Sequence, residues 1–82
     1  MKELVQALEE IERNARGGDP AKVAKALEAA VSKLSLWGDA RAKQLGEELS
    51  VWKNKLPVIW KEPAGRQGMA KHARHWIGKL NG

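Results

Sequence analysis

The sequence predicts an all-α fold, a small bundle of four amphipathic helices with short connections. Apolar residues recur at steps of three and four in four separate segments, which is helical spacing. No segment alternates apolar and polar residues over a useful length, so no sheet is expected. The chain has 82 residues and no cysteine, which predicts a single domain over residues 1–82 held together by core packing alone.

Local signals place the four helices at about residues 2–16, 20–37, 40–56 and 66–80. A glycine pair after residue 16 stops the first helix. Asp19 is a favourable N-cap and Pro20 a favourable first helical residue, and Gly38 marks the end of the second helix. Asp39 is the expected cap of the third helix. The connection between helices two and three is then very short and makes them antiparallel neighbours.

The segment between the last two helices is rich in proline and glycine. Pro57 is expected to end the third helix, because proline lacks the backbone N–H that a helix interior requires. Residues 57–68 are therefore predicted to form a loop. It carries one apolar patch, residues 58–60 (Val58, Ile59 and Trp60), which either packs under the bundle or is presented to a partner.

Charge is distributed unevenly along the chain. Residues 1–50 hold eight Lys and Arg against nine Asp and Glu, whereas residues 51–82 hold seven against the single acid Glu62. The whole positive excess therefore lies in a basic C-terminal third. Such an asymmetry predicts an anionic partner, for example nucleic acid or another polyanion.

Eight side chains of this basic third are the predicted contacts to the anionic partner. They are Lys53, Lys55, Lys61, Arg66, Lys71, Arg74, His75 and Lys79. On the last helix they fall away from the apolar stripe, which gives a cationic face that could bind phosphates without reading bases. The competing interpretation is an ordinary solvated face that keeps the protein soluble.

Tryptophan supplies all the large aromatic side chains, since Phe and Tyr are absent. Trp37, Trp52 and Trp76 fall on apolar stripes and are expected to fill the core. Trp60 lies off the stripes and is predicted to be an interface anchor, the alternative being a lid that closes the bundle. The alternative function is accordingly a protein–protein or homo-oligomerising module that uses the apolar faces and the patch at residues 58–60.

Catalysis, a metal, a cofactor and a small-molecule substrate are not expected. His72 and His75 share a helix face at the spacing of a two-ligand metal clip, but basic residues surround them and the only acid in the last third is Glu62. The three serines lack the context of a nucleophile. Because the sequence shows neither a signal peptide nor an apolar membrane-spanning stretch, a cytoplasmic location is expected and a membrane partner is not.

Overall fold

Four α-helices form the fold, as the apolar periodicity predicts. The computed structural model describes residues 2–81; Met1 and Gly82, the ends of the predicted domain, lie outside the described residues. The helices are α1 (Lys2–Gly17), α2 (Pro20–Leu34), α3 (Arg41–Trp60) and α4 (Pro63–Asn81). No strand occurs among residues 2–81. The prediction of a small all-α bundle of four helices is confirmed.

The turn between α1 and α2 follows the predicted signals closely. Gly18 has a φ of 79°, a conformation that glycine adopts without a steric penalty. Its N–H donates to the carbonyl of Asn14 at 3.0 Å. The Asp19 side chain then caps α2 by accepting the N–H of Lys22 at 3.1 Å, and Pro20 is the first helical residue. The end of α1 and the start of α2 both depend on neighbouring residues only, so the sequence alone determines them.

Helix α2 ends at Leu34, three residues earlier than predicted. The hydroxyl of Ser35 donates to the carbonyl of Ser32 at 2.7 Å, and the N–H of Trp37 donates to Leu34 at 3.0 Å with the shorter i to i+3 step. Serine competes in this way for backbone partners and ends helices. Trp37 therefore lies in a longer connection, residues 35–40, where it is partly buried rather than on a helical stripe.

The predicted cap of α3 is displaced by one residue. Ala40 occupies the N-cap position and provides no side-chain hydrogen bond. Asp39 instead accepts the backbone N–H of Arg41 at 2.8 Å and forms an ion pair with the guanidinium of Arg41 at 2.8 Å. These hydrogen bonds, first the one from the guanidinium and then the one from the backbone, lower the pKa of Asp39 from 3.8 to about 2.

The predicted loop over residues 57–68 is wrong, because α3 continues to Trp60 with Pro57 inside it. Proline removes one backbone donor and disfavours a helix interior. The carbonyl of Lys53 loses its helical partner at Pro57, but both residues are exposed, so water can reach that carbonyl. Ile59 and Trp60 meanwhile pack against the core. Packing of the last turn thus outweighs the local preference against the helix.

Helix α4 also begins three residues earlier than predicted, at Pro63. Proline suits the first helical position, since the N–H there has no helical partner in any case. The carbonyl of Glu62 accepts the N–H groups of Gly65 and Arg66 at 3.1 and 3.4 Å. As a result only Lys61 and Glu62 separate α3 from α4.

The four helices surround one apolar core in which each helix packs against two neighbours. Helix α1 packs extensively against α2 and α4, whereas α3 packs against α2 and only lightly against α4. The described part of the molecule measures 34 × 22 × 17 Å. Of the predicted core tryptophans, Trp76 is fully buried and Trp52 is partly buried. Helix α3 contributes only Leu45 and Leu49 to the fully buried set.

Candidate functional site

An open groove runs between α3 and α4. The two helices are joined by a two-residue connection, yet they are the most loosely packed of the adjacent pairs. The space between them has a volume of about 340 Å³. Most of its lining is apolar, and the lining residues are Glu48, Val51, Trp52, Ile59, Gly65, Gly68, Met69 and His72. We call this feature the α3–α4 groove.

A carboxylate closes one end of the α3–α4 groove. The indole N–H of Trp76 donates to Oε2 of Glu48 at 2.5 Å, and Nε2 of His72 lies 3.0 Å from the same oxygen. The ring of Trp52 meets the His72 ring edge-on, with centroids 5.4 Å apart. The charge of Glu48 is thus engaged by two side chains of α4, which fixes the spacing of the two helices at this end.

Glycine allows the other end of the groove to close tightly. A Cβ atom at Gly65 would lie 2.5 Å from the carbonyl oxygen of Ile59 and 3.2 Å from its carbonyl carbon. Only glycine permits this approach of α4 to the last turn of α3. By contrast, a Cβ atom at Gly68 would meet nothing within 4 Å. Gly68 therefore leaves the backbone of α4 uncovered where it borders the groove.

Apolar side chains are exposed along α3 on and beside the groove. Val51, which lines it, is 50% exposed, and Val58 is 66% exposed. Trp60, the predicted interface anchor, is the last residue of α3 and is partly buried against the core. The guanidinium carbon of Arg66 lies 5.7 Å from the centre of a Trp60 ring. Trp60 therefore does not project from a loop, and its role as an anchor stays a prediction.

Three exposed basic residues lie close in the chain to residues that line the groove, although none of the three lines it. Lys55 lies one helical turn after Val51 and one before Ile59. Lys61 lies in the connection at the end of the groove, and Lys71 is exposed on α4 three residues after Gly68. We call Lys55, Lys61 and Lys71 the rim lysines.

The remaining predicted basic residues lie on both α3 and α4, and several of them contact other side chains of the chain. Lys53 is two positions from Lys55, about 200° around the helix, and so lies on the opposite side of α3. Arg74 forms two contacts with Glu12 of α1, at 2.9 and 3.2 Å. The Lys79 ammonium sits 4.8 Å from the centre of a Trp76 ring. His75 is exposed, with its ring 6.2 Å from that of His72.

Residues 2–81 contain neither a metal-binding cluster nor a helix that could cross a membrane. Among residues 2–81, no three His, Cys, Asp or Glu side chains come together in a way that could hold a metal ion. Each of the four described helices is too short or too polar to cross a membrane.

The groove itself is the feature that the sequence did not reveal. Two of its lining residues, Ile59 and Gly65, lie where a loop was predicted, at the end of α3 and the start of α4. The sequence pattern that could have indicated the groove is the pair Gly65 and Gly68, which lie one helical turn apart beside the buried Met69. Comparison with protein-family models, with curated proteins and with solved structures finds no match.

Proposed function

We propose that this chain is a non-enzymatic binding module that holds an acidic, amphipathic helical segment of a partner protein in the α3–α4 groove. The observation that carries the proposal is the combination of an apolar groove with a cationic rim. Helix-in-groove recognition uses an apolar floor for affinity and complementary charge for orientation.

Apolar side chains that line the groove are open to solvent. Val51 leaves half of its surface to solvent, and Trp52 and Ile59 are only partly buried beside it. A partner helix that covered these side chains would remove apolar surface from water at the most loosely packed pair of adjacent helices. Tryptophan in a partly covered groove is also a frequent centre of binding energy.

The basic C-terminal third supplies positive charge on the helices that form the groove. Residues 51–82 contain seven Lys and Arg and one acid, and the rim lysines stand on both helices and at the connection. Glu48, the only acid that lines the groove, is engaged by Trp76 and His72. Carboxylates of a partner would therefore meet cations outside the groove, while Glu48, which keeps its negative charge, is hydrogen-bonded within the chain.

The arrangement of cations favours an acidic protein segment over nucleic acid. A duplex needs several cations along one surface, spaced to follow its phosphates. Lys53 and Lys55 point to opposite sides of α3, and Arg74 is engaged by Glu12. An apolar groove also makes no favourable contact with phosphates, whereas it can cover the apolar face of a peptide helix.

The proposal is tested by selecting binders from a random peptide library on the wild-type protein. The enriched peptides should carry net negative charge and apolar residues spaced by three and four. Binding of the best peptide, measured by fluorescence anisotropy, should weaken at Val51→Asp and at the charge reversal Lys55→Glu. The matched control is Val31→Asp, an exposed valine that lies outside the α3–α4 groove, which should leave binding unchanged.

Three results would count against the proposal. Failure of the library to enrich any acidic peptide would contradict it directly. Equal loss at Val31→Asp and Val51→Asp would move the site to the surface between α2 and α3, which both valines line. Tight, steeply salt-dependent binding of an oligonucleotide, together with no effect of Val51→Asp, would favour the nucleic-acid alternative.

A further inference from the structure

A second and broader apolar depression lies between α2 and α3, with a volume of about 720 Å³. Four large apolar side chains are exposed among residues 2–81, and two of them line this depression, Val31 on α2 and Val51 on α3. The buried Leu34 and the partly buried Ala42 add to its apolar lining. We call this feature the α2–α3 surface.

Two opposite charges border the α2–α3 surface without neutralising each other. Lys43 and Glu47 both line it and both are exposed on α3. They lie four residues apart with the lysine first, which is the weaker order for a pair within one helix. Neither takes part in a salt bridge within residues 2–81. Both charges are therefore available to a group outside the chain.

The charges in this part of the chain also balance. Residues 31–51, which contain all the residues that line the α2–α3 surface, hold three Lys and Arg and three Asp and Glu. The whole chain carries a net charge of +5, and its excess lies in residues 51–82. Two copies would repel each other through the basic third, whereas this repulsion is smallest where the local net charge is zero.

We infer that two copies of this chain form a symmetric dimer through the α2–α3 surface, with Lys43 of each copy paired to Glu47 of the other. A two-fold dimer buries the same patch on both copies, so the patch must be complementary to itself. Val31 and Val51 supply apolar area, and the opposite charges fix how the copies are aligned. The inference does not depend on the proposed function, although Val51 lines both features.

An antiparallel contact between the two α3 helices satisfies this pairing. If the two-fold axis passes close to Gly46, Lys43 of one copy and Glu47 of the other differ by about 3 Å along the helix axis, because each residue adds 1.5 Å. A lysine side chain easily spans that offset. Gly46 also leaves the helix surface low at the axis, and a Cβ atom there would lie 3.7 Å from Cδ1 of Leu34, so packing within the chain does not require a glycine.

The first experiment measures self-association of the full chain by sedimentation equilibrium, at concentrations from about 10 µM to about 1 mM. The wild type should be dimeric at the upper end of this range. Val31→Asp places an unpaired carboxylate of each copy in the contact and should raise the dissociation constant at least about tenfold. The matched control is Val58→Asp, at an exposed valine outside the α2–α3 surface, which should leave the dissociation constant unchanged.

The second experiment tests the pairing of charges. Lys43→Glu alone brings carboxylates together at both contacts, and Glu47→Lys alone brings ammonium groups together, so each variant should dimerise at least about tenfold more weakly. An equimolar mixture of the two variants restores opposite charges at both contacts of a mixed dimer. The double variant restores them between identical copies. Both should recover an affinity close to that of the wild type.

The results that would overturn the inference are specific. A wild type that stays monomeric at about 1 mM would contradict the dimer. Dissociation at Val58→Asp but not at Val31→Asp would place the contact at the patch of residues 58–60. A mixture of the two charge variants that associates no more tightly than either variant alone would contradict the two-fold pairing. None of these measurements involves a peptide, so failure here leaves the proposed function to its own test.

Discussion

The same glycine-to-alanine substitution should have opposite effects at two positions of this bundle. Gly46 lies in the middle of α3, where a Cβ atom would be 3.7 Å from Cδ1 of Leu34, an ordinary van der Waals distance. Gly65 lies in the first turn of α4, where a Cβ atom would be 2.5 Å from the carbonyl oxygen of Ile59. The pair therefore tests the helix spacing on both sides of α3.

At Gly46 the expected change is stabilising. Alanine is better than glycine in a helix interior by about 0.8–1 kcal/mol, and a new contact with Leu34 adds only a few tenths. The free energy of unfolding should rise by about 1 kcal/mol, which for a domain of this size raises Tm by about 4–8 °C.

At Gly65 the expected change is destabilising. The obstructing atom belongs to the backbone of Ile59, so no side-chain rotation can relieve the contact, and overpacking of this kind costs about 1–3 kcal/mol. Only part of the helix-propensity gain applies in a first turn. A net loss of about 1–2 kcal/mol is expected.

Thermal and urea denaturation followed by far-UV circular dichroism measure both variants beside the wild type. A lower Tm for Gly46→Ala would mean that α2 and α3 lie closer than the structure places them. A Tm for Gly65→Ala at or above that of the wild type would mean that α4 does not meet the end of α3 at this glycine. Either result would refute the spacing from which the groove follows.

Three further predictions concern the core, an inter-helix ion pair and an acid transition. Leu27→Ala removes a fully buried side chain and should lower the free energy of unfolding by about 2–5 kcal/mol in urea titrations. Arg74→Ala leaves Glu12, whose side chain is only 13% exposed, without its partner on α4. The free energy of unfolding should fall by about 1 kcal/mol, and adding Glu12→Gln to the same chain should recover part of that loss. Because its bonds to Arg41 lower the pKa of Asp39 to about 2, the ionised carboxylate stabilises the fold above its ordinary pKa of 3.8, and this stabilisation disappears as the pH falls toward 2. Asp39→Asn should remove that component from the dependence of Tm on pH, and an unchanged acid profile would contradict the assignment.

Most of the fold could be predicted because its signals are local. The cap at Asp19 and the positive φ at Gly18 depend on a few neighbouring residues, and the core stripes depend on spacing alone. The errors lie where packing opposes a local preference. Pro57 is a helix breaker by type, yet α3 passes through it, since Ile59 and Trp60 bury surface beyond it.

The candidate site could be predicted only in part. Residue type identified the basic third, but not that Arg74 meets Glu12, which is 62 residues away in the chain. The α3–α4 groove depends on the distance between two helices, and no short sequence pattern encodes that distance. Glu48 was not singled out for the same reason, since its partners His72 and Trp76 lie on another helix.

Helix α3 has few fully buried side chains, so its local stability should be lower than that of the other helices. Because Leu45 and Leu49 are its only fully buried side chains, we expect the amide protons of α3 to exchange with solvent through openings smaller than global unfolding. Under the proposed function, a partner would bind the groove only while α3 is docked and would therefore slow that exchange by mass action. Docking of α3 and binding of the partner would then be coupled.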